Sequence, residues 1–357
     1  MRYNAAVAER VLTQRELNRA LLARQFLLDR KRLSLPKALE RIGGIQAQYA
    51  PSMYIGLWSR LEGFERESLD RALERRTVVQ GTLMRLTIHL VSARDWWPFA
   101  AATREARRRS WERHPAHANA RSAAAAARKL RRLIAEGPMQ RKEIEVAVDI
   151  GQGTIYGIGC WLDMVRVPPS GTWARRRADL FAAAEDWLGP DGIAPDDALD
   201  HSVKSYLRGF GPASKGDIAD YLGLAKSALD PALARLELRR FRDEGGAELL
   251  DLPRAPLPDA DTPAPARFLP VWDATLLVHA RRTGILPEKY RPRVFNVKTP
   301  PVHRDVPGGR RGGRHLASRE GSDQAQPVRS PGPVGEACAR EGGGAPPRVP
   351  SVRDSCS

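Results

Sequence analysis

The chain of 357 residues carries a formal net charge of +16, with arginine outnumbering lysine 49 to 9. That length suggests two or three domains with ample buried core, and the charge points to a polyanionic partner. Three cysteines, Cys160, Cys338 and Cys356, form no CxxC pair, and no apolar run is long enough to span a bilayer, which excludes a disulfide scaffold and a transmembrane protein.

Arginine dominance suits bidentate phosphate contacts, although the Ala-, Gly-, Pro- and Arg-rich composition also carries the codon bias of a GC-rich genome. The N-terminus "MRYNAAVAERVLTQRELNRALLARQ" is charged throughout and lacks the apolar core of a signal peptide. A soluble protein of the reducing cytoplasm is therefore expected.

In chain order, helices are expected at about 13–29 and 36–42, the second stopped by Gly43 and Gly44. "QAQ" follows at once. In an extended segment Gln46 and Gln48 project from one face and Ala47 from the other, whereas on a helix the two would diverge by about 200°. The pair either shares a site, caps the broken helix or contacts phosphate. "RESLDRALERRTV" supplies another helix and "TLMRLTIHLVSARDWWPFA" a strand pair. His89 there either approaches a ligand or is hydrogen-bonded within the sheet, and Trp96 and Trp97 close a core.

An internal repeat comes next. "EGPMQRKEI" (136–144) and "FGPASKGDI" (210–218) align 74 residues apart, each ending one helix at Gly-Pro and opening a polar one, as a helix-turn-helix begins. The first copy follows a long helix at 122–136 and leads to a strand near Met164–Val167, a Pro-Pro-Ser-Gly turn and the basic stretch "TWARRR" (172–177). The second continues into "GLAKSALDPALARL", with Pro231 marking a helix start or kink, and then two short strands around Gly245-Gly246. Three helices and a hairpin describe a winged helix.

The expected fold is mainly α with small β wings (α+β): three tandem winged-helix motifs with a C-terminal β element truncated or replaced. The boundaries are 1–121 for the first, carrying the glutamine pair, 122–198 for the second and a connector, and 199–254 for the third. A β-rich region begins over 255–298. From Thr299 onward Gly and Pro make up 19 of 59 residues and no aromatic residue occurs, so 299–357 should be disordered. "VHRDVPGG" (302–309) can be back-translated with codons that, shifted by one nucleotide, read Phe-Thr-Val-Thr-Phe-Leu-Val-Asp, a strand pattern. Codon degeneracy permits other readings; a frame change that replaced a β-rich C-terminus is one.

Taken together, "LTQRELNRALLARQFLL", "RIGGIQAQY", "GLWSRLEGF", "TLMRLTIHLVSARDWWPF", "VPPSGTWARR", "GFGPASKGDIADYLGL" and "FLPVWDATLLVHARRTGILPEKYRPRVF" resemble the AlkZ-like winged-helix DNA glycosylases over roughly residues 10–296. The resemblance implies a DNA-repair hydrolase that excises N7-alkylated or interstrand-crosslinked purines, with Gln46 and Gln48 matching the family's catalytic Gln-apolar-Gln motif. It implies three winged helices forming a concave basic surface, and a late β-hairpin that engages the minor groove. That hairpin would fall beyond Lys298, where the sequence departs from the family's pattern.

Double-stranded DNA is the expected partner of a monomer. DNA contacts are expected from Arg85, His89, Arg175, Arg176, Lys215, Lys226, Arg239 and Arg240, those of the basic wings on phosphates, although a charge run also serves as a solvated face. No cofactor is implied. "HPAH" (114–117) has poor metal spacing, so no metal is assigned, and "GQGTIYGIG" lacks the context of a dinucleotide site. Asp273 reads better as a helix N-cap before "ATLLVHARR" than as a catalytic carboxylate. The alternative function is a non-catalytic winged-helix DNA-binding protein or transcription regulator, or a damaged relative of an enzyme.

Overall fold

Thr13 opens the first helix. Its hydroxyl accepts from the Glu16 backbone N–H while Glu16 reaches back to Thr13 N, a capping box. The computed structural model describes residues 9–113, 120–149, 154–291 and 326–328. After β1 (Val11–Leu12), α1 (Gln14–Arg24) is shorter than its sequence pattern suggests, because Phe26 turns into a left-handed conformation. α2 (Leu35–Ile42) ends where expected, at Gly43 with φ +80°. β2 (Ile45–Gln46), α3 (Ala50–Arg60), α4 (Arg66–Glu74), β3 (Val78–Thr82), β4 (Ile88–Ser92) and the long α5 (Ala93–Glu112) follow.

The next stretch holds α6 (Ala120–Leu133), β5 (Met139–Gln140), α7 (Arg141–Ala147), α8 (Thr154–Trp161), β6 (Met164–Arg166), β7 (Leu180–Ala183) and α9 (Ala184–Leu188). Its strands do not stand apart as a separate wing. They extend the sheet of the preceding region in the order β2-β4-β3-β6-β7-β5, joined where Gln80 faces Arg166 and Gly81 faces Val165. Gly81 is required at that seam, since a Cβ there would lie 2.1 Å from the buried Trp96 ring.

α10 (Pro195–Phe210) is the central helix. Val203, Tyr206, Leu207 and Phe210 recur at helical spacing and are buried. They pack it against α5, α2 and α1 on one side and against α11 (Lys215–Leu222) and α12 (Asp230–Arg235) on the other. Pro231 sits in the first turn of α12, a helix start rather than a kink. The hairpin of β8 (Arg239–Asp243) and β9 (Glu248–Asp251) turns at Gly246, and β1 adds to β8 in parallel.

Beyond residue 255 the chain departs from the expected pattern. "ATLLVHARR" is not one helix but short 3-10 turns, because Leu277 is extended and Arg281 left-handed. β10 (Arg267–Leu269) pairs with β11 (Gln326–Val328). The rest of 299–357, including the stretch expected to mark a frame change, and "HPAH" lie outside the described residues.

Two buried ion pairs tie the first sixty residues of the chain to the region beyond residue 250. Arg24 on α1 grips Asp251 on β9 at 2.7 and 2.9 Å. Arg60 on α3 grips Asp273 at 2.9 Å through both nitrogens, while Asp273 also caps the following turn by accepting from Thr275 N. Burial alone would raise the Asp273 carboxyl, but the Arg60 charge and the hydrogen bonds from Arg60 and Thr275 outweigh it and hold the carboxyl below its ordinary range. A carboxylate depressed in the folded state contributes stability at neutral pH that is lost as pH falls through its folded pKa. Asp273→Asn should therefore cost about 3–5 kcal/mol at pH 7 in urea unfolding, because the Arg60 charge is left buried and unpaired. The gap from wild type should shrink on acidification below about pH 4, where the unfolded carboxyl protonates.

Candidate functional site

The glutamine pair sits where the stop at Gly43-Gly44 delivers the chain to the edge of the six-stranded sheet. Gln46 lies opposite His89 on β4, and Ala47 N donates to Ile88 O at 2.7 Å. This extended segment turns Ala47 into an apolar cluster with Ile45, Met53 and Leu90, away from the Gln46 face. Gln46 is 7% exposed and Gln48 lies at the surface. Neither lines the cavity of about 700 Å³ near Arg24, Arg41, Arg208 and Arg254.

The loop between β3 and β4 orients one amide and the first residue of β4 the other. Gln46 Oε1 accepts from Arg85 Nη2 at 3.1 Å, and Gln48 Oε1 accepts from Ile88 N at 2.6 Å. Guanidinium and backbone N–H are donors only, so chemistry fixes which end of each amide faces the loop. Each Nε2 is left without a partner among the described residues. The loop itself is strained: Arg85 and Leu86 both have positive φ, at 55° and 58°.

Arg85 is turned inward. Its Nη1 donates to the Tyr221 carbonyl, and its guanidinium lies 5.4 Å from the centre of the Tyr221 ring. Burial lowers its pKa. Tyr206, Phe210, Tyr221 and His279 pack around one another behind it, with Tyr206 Oη donating to His279 O at 2.6 Å. The His279 ring is buried with neither nitrogen partnered among the described residues, and burial followed by the Arg85 charge pushes its pKa well down. His89 is similar. Desolvation first, then Arg85, depress it to about 3, against a smaller opposite effect of its hydrogen bond to Thr87. Its Nδ1 lies 3.0 Å from Thr87 O and must carry the proton, which leaves Nε2 as a bare acceptor.

The other expected DNA contacts fall in different places. Arg176 donates to Tyr49 Oη at 3.0 Å and lies 5.9 Å from the ring centres of both Tyr49 and Trp173, which brings the "TWARRR" stretch beside Gln48. Arg175 is engaged with Asp179 and Gln140. Lys215 pairs with Asp230 and Arg240 with Glu248, while Lys226 is exposed. Arg239 is occupied inward by Asp251, Leu252 O and Ala255 O. The structure thus gathers Gln46, Gln48, Arg85, His89 and Arg176, and leaves the third-unit cations elsewhere. Sequence reasoning missed Tyr49, Trp173, Tyr221 and His279. Only Tyr49, next to Gln48, carried a local signal. No cluster of three or more His, Cys, Asp or Glu side chains suited to a metal occurs among the described residues, nor does a helix long and apolar enough to cross a membrane.

Comparison with known proteins bears on this site. A family model described as DNA glycosylase AlkZ-like matches residues 39–341, a span that runs past Lys298, where the family pattern was expected to end. Among solved structures, the Streptomyces sahachiroi DNA glycosylase AlkZ matches with a TM-score of 0.65 at 19% identity, over 79% of this chain and 82% of that one. No curated protein matches by sequence.

A neutral imidazole with a depressed pKa makes the fold acid-sensitive. The unfolded histidine takes up a proton below about pH 6.5 and the folded one does not, so stability falls as pH falls toward the folded pKa. Unfolding free energy should decline between pH 6.5 and 5, and His89→Gln should flatten that decline. An unchanged slope in the variant would show that His89 is free to protonate in the fold.

Proposed function

Because this chain belongs to the AlkZ-like DNA glycosylase family, DNA-repair hydrolases of N-glycosyl bonds, we propose that it releases N7-alkylated or crosslinked purines and that Gln46 and Gln48 place the attacking water. An amide neither takes up nor gives up a proton at neutral pH, and His89 is held neutral. Such a site suits a leaving group that needs no protonation. A purine alkylated at N7 already carries positive charge and departs neutral, so the remaining task is to hold water against a developing sugar oxocarbenium ion.

The observation that carries this reading is the orientation of the two amides. With Oε1 of Gln46 engaged by Arg85 and that of Gln48 by Ile88 N, each amide keeps two N–H donors and one further carbonyl lone pair. A water that accepts from Gln46 Nε2 and donates to Gln48 Oε1 keeps one lone pair free to attack C1′. This is catalysis by placement and fixed dipoles. The formal charge of +16 favours the duplex as a partner. Tandem winged helices acting as a monomer, with Arg176 beside the pair and Lys226 farther out on phosphates, complete the proposal.

The test is single-turnover release of 7-methylguanine from duplex DNA. Gln46→Ala and Gln48→Ala should each lower the rate by about a hundredfold, the scale on which one placed polar group acts. The wild-type rate should be flat between pH 6 and 8, because no group in the site titrates there. A Gln48→Ala protein as fast as wild type would falsify the assignment, and DNA binding without base release by wild type would favour a regulator.

A further inference from the structure

Arg85 is a cation in an unusual position. Its guanidinium donates to two carbonyl oxygens, that of Tyr221 and that of the Gln46 amide. Among the described residues no carboxylate lies within ion-pair distance of it. Arg85 is half-buried; of the guanidiniums buried more deeply, those of Arg24, Arg60 and Arg107 each hold an aspartate, while that of Arg166 has the Thr82 hydroxyl and no carboxylate among the described residues. A buried charge without a counter-ion is costly. So is the backbone that carries it, with Arg85 and Leu86 left-handed in succession, a conformation that crowds Cβ against the following carbonyl. Strain and unpaired charge kept together at one loop mark a position held for function.

We propose that Arg85 is a positioning residue that acts through Gln46, rather than a phosphate contact. Its fork is spent inside the protein. One arm anchors on the Tyr221 carbonyl and the Tyr221 ring, and the other pins Gln46 Oε1. A donor-only partner permits one amide orientation, so Gln46 must present Nε2–H₂ outward. The positive charge on the carbonyl side also polarises the amide and strengthens those N–H donors. Without Arg85 the amide can flip and the water loses its fixed donor. Gly223 completes the device, since a Cβ there would lie 3.1 Å from Arg85 N, so that backbone approach keeps the loop seated against α11.

This assignment rests on the proposed role of Gln46, and the experiment separates the two. Single-turnover release of 7-methylguanine and duplex affinity are measured for Arg85→Met, Arg85→Lys, Gln46→Ala and the double variant Arg85→Met/Gln46→Ala. Arg85→Met should slow release by about 10–100-fold, as loss of an orienting partner does, with affinity and its salt dependence unchanged within about twofold. In the Gln46→Ala background the Arg85 substitution should have no further effect, because it has nothing left to orient. Arg85→Lys keeps the charge but cannot hold both carbonyls, and should lie between. If Arg85→Met fails to fold, the same cycle is run with Arg85→Lys. Wild-type rates in the Arg85 variants, multiplicative losses in the double variant, or a weakened affinity with a shallower salt slope would each overturn the proposal. Full activity in Gln46→Ala alone would instead remove the catalytic reading on which it stands.

Discussion

A guanidinium inside a protein must be given acceptors, and that requirement organises this fold. Arg24 finds Asp251 across 227 residues of sequence, and Arg60 finds Asp273 across 213. Arg107 and Arg104 share Asp163, which locks α5 to the turn after α8. Burial would raise the Asp163 carboxyl, but the two arginines more than reverse it. These pairs need not add net stability over apolar packing of the same shape. They do make alternative arrangements expensive, because any shift leaves a charge unpaired in the interior. The glutamine segment hangs between two of them. Arg60 ends the helix that follows it, and Arg24 lies on the helix that packs against α10.

Legibility in the sequence followed the range of the interaction. The stop at Gly43, the alternation of Gln46, Ala47 and Gln48, the turn at Gly246 and the capping role of Asp273 depend on a few neighbouring residues, and those were readable. The DNA-glycosylase resemblance was readable too, since several separated blocks agree. What local pattern could not give is which strands become neighbours. The pairing of β3 with β6 merges two regions that the sequence divides, and it hangs on Gly81 meeting Trp96. Arg85 is the clearest case. In "LMRLT" it looks like any cation of a basic chain, and only the approach of Tyr221, 136 residues later, gives its guanidinium an internal acceptor. A high arginine count therefore overstates the surface available to phosphate, as the inward-held Arg24, Arg60, Arg85, Arg107 and Arg239 illustrate.

A cation beneath the proposed water site looks at first opposed to catalysis, because the sugar becomes positive as the glycosidic bond breaks. Breaking the glycosidic bond sends its electron pair from the sugar to the base, whether the purine starts neutral and leaves as an anion or starts cationic and leaves neutral. In either case the effect of Arg85 depends on the difference between its distances to the two rings rather than on the distance to either. At an effective dielectric of about 20, two unit charges 8 Å apart repel by roughly 2 kcal/mol, and a difference of a few ångströms leaves only a fraction of that. The positioning role proposed for Arg85 therefore carries little electrostatic penalty. In the proposed reaction, preference for a pre-charged purine comes from its leaving neutral without a proton donor, and not from where Arg85 sits.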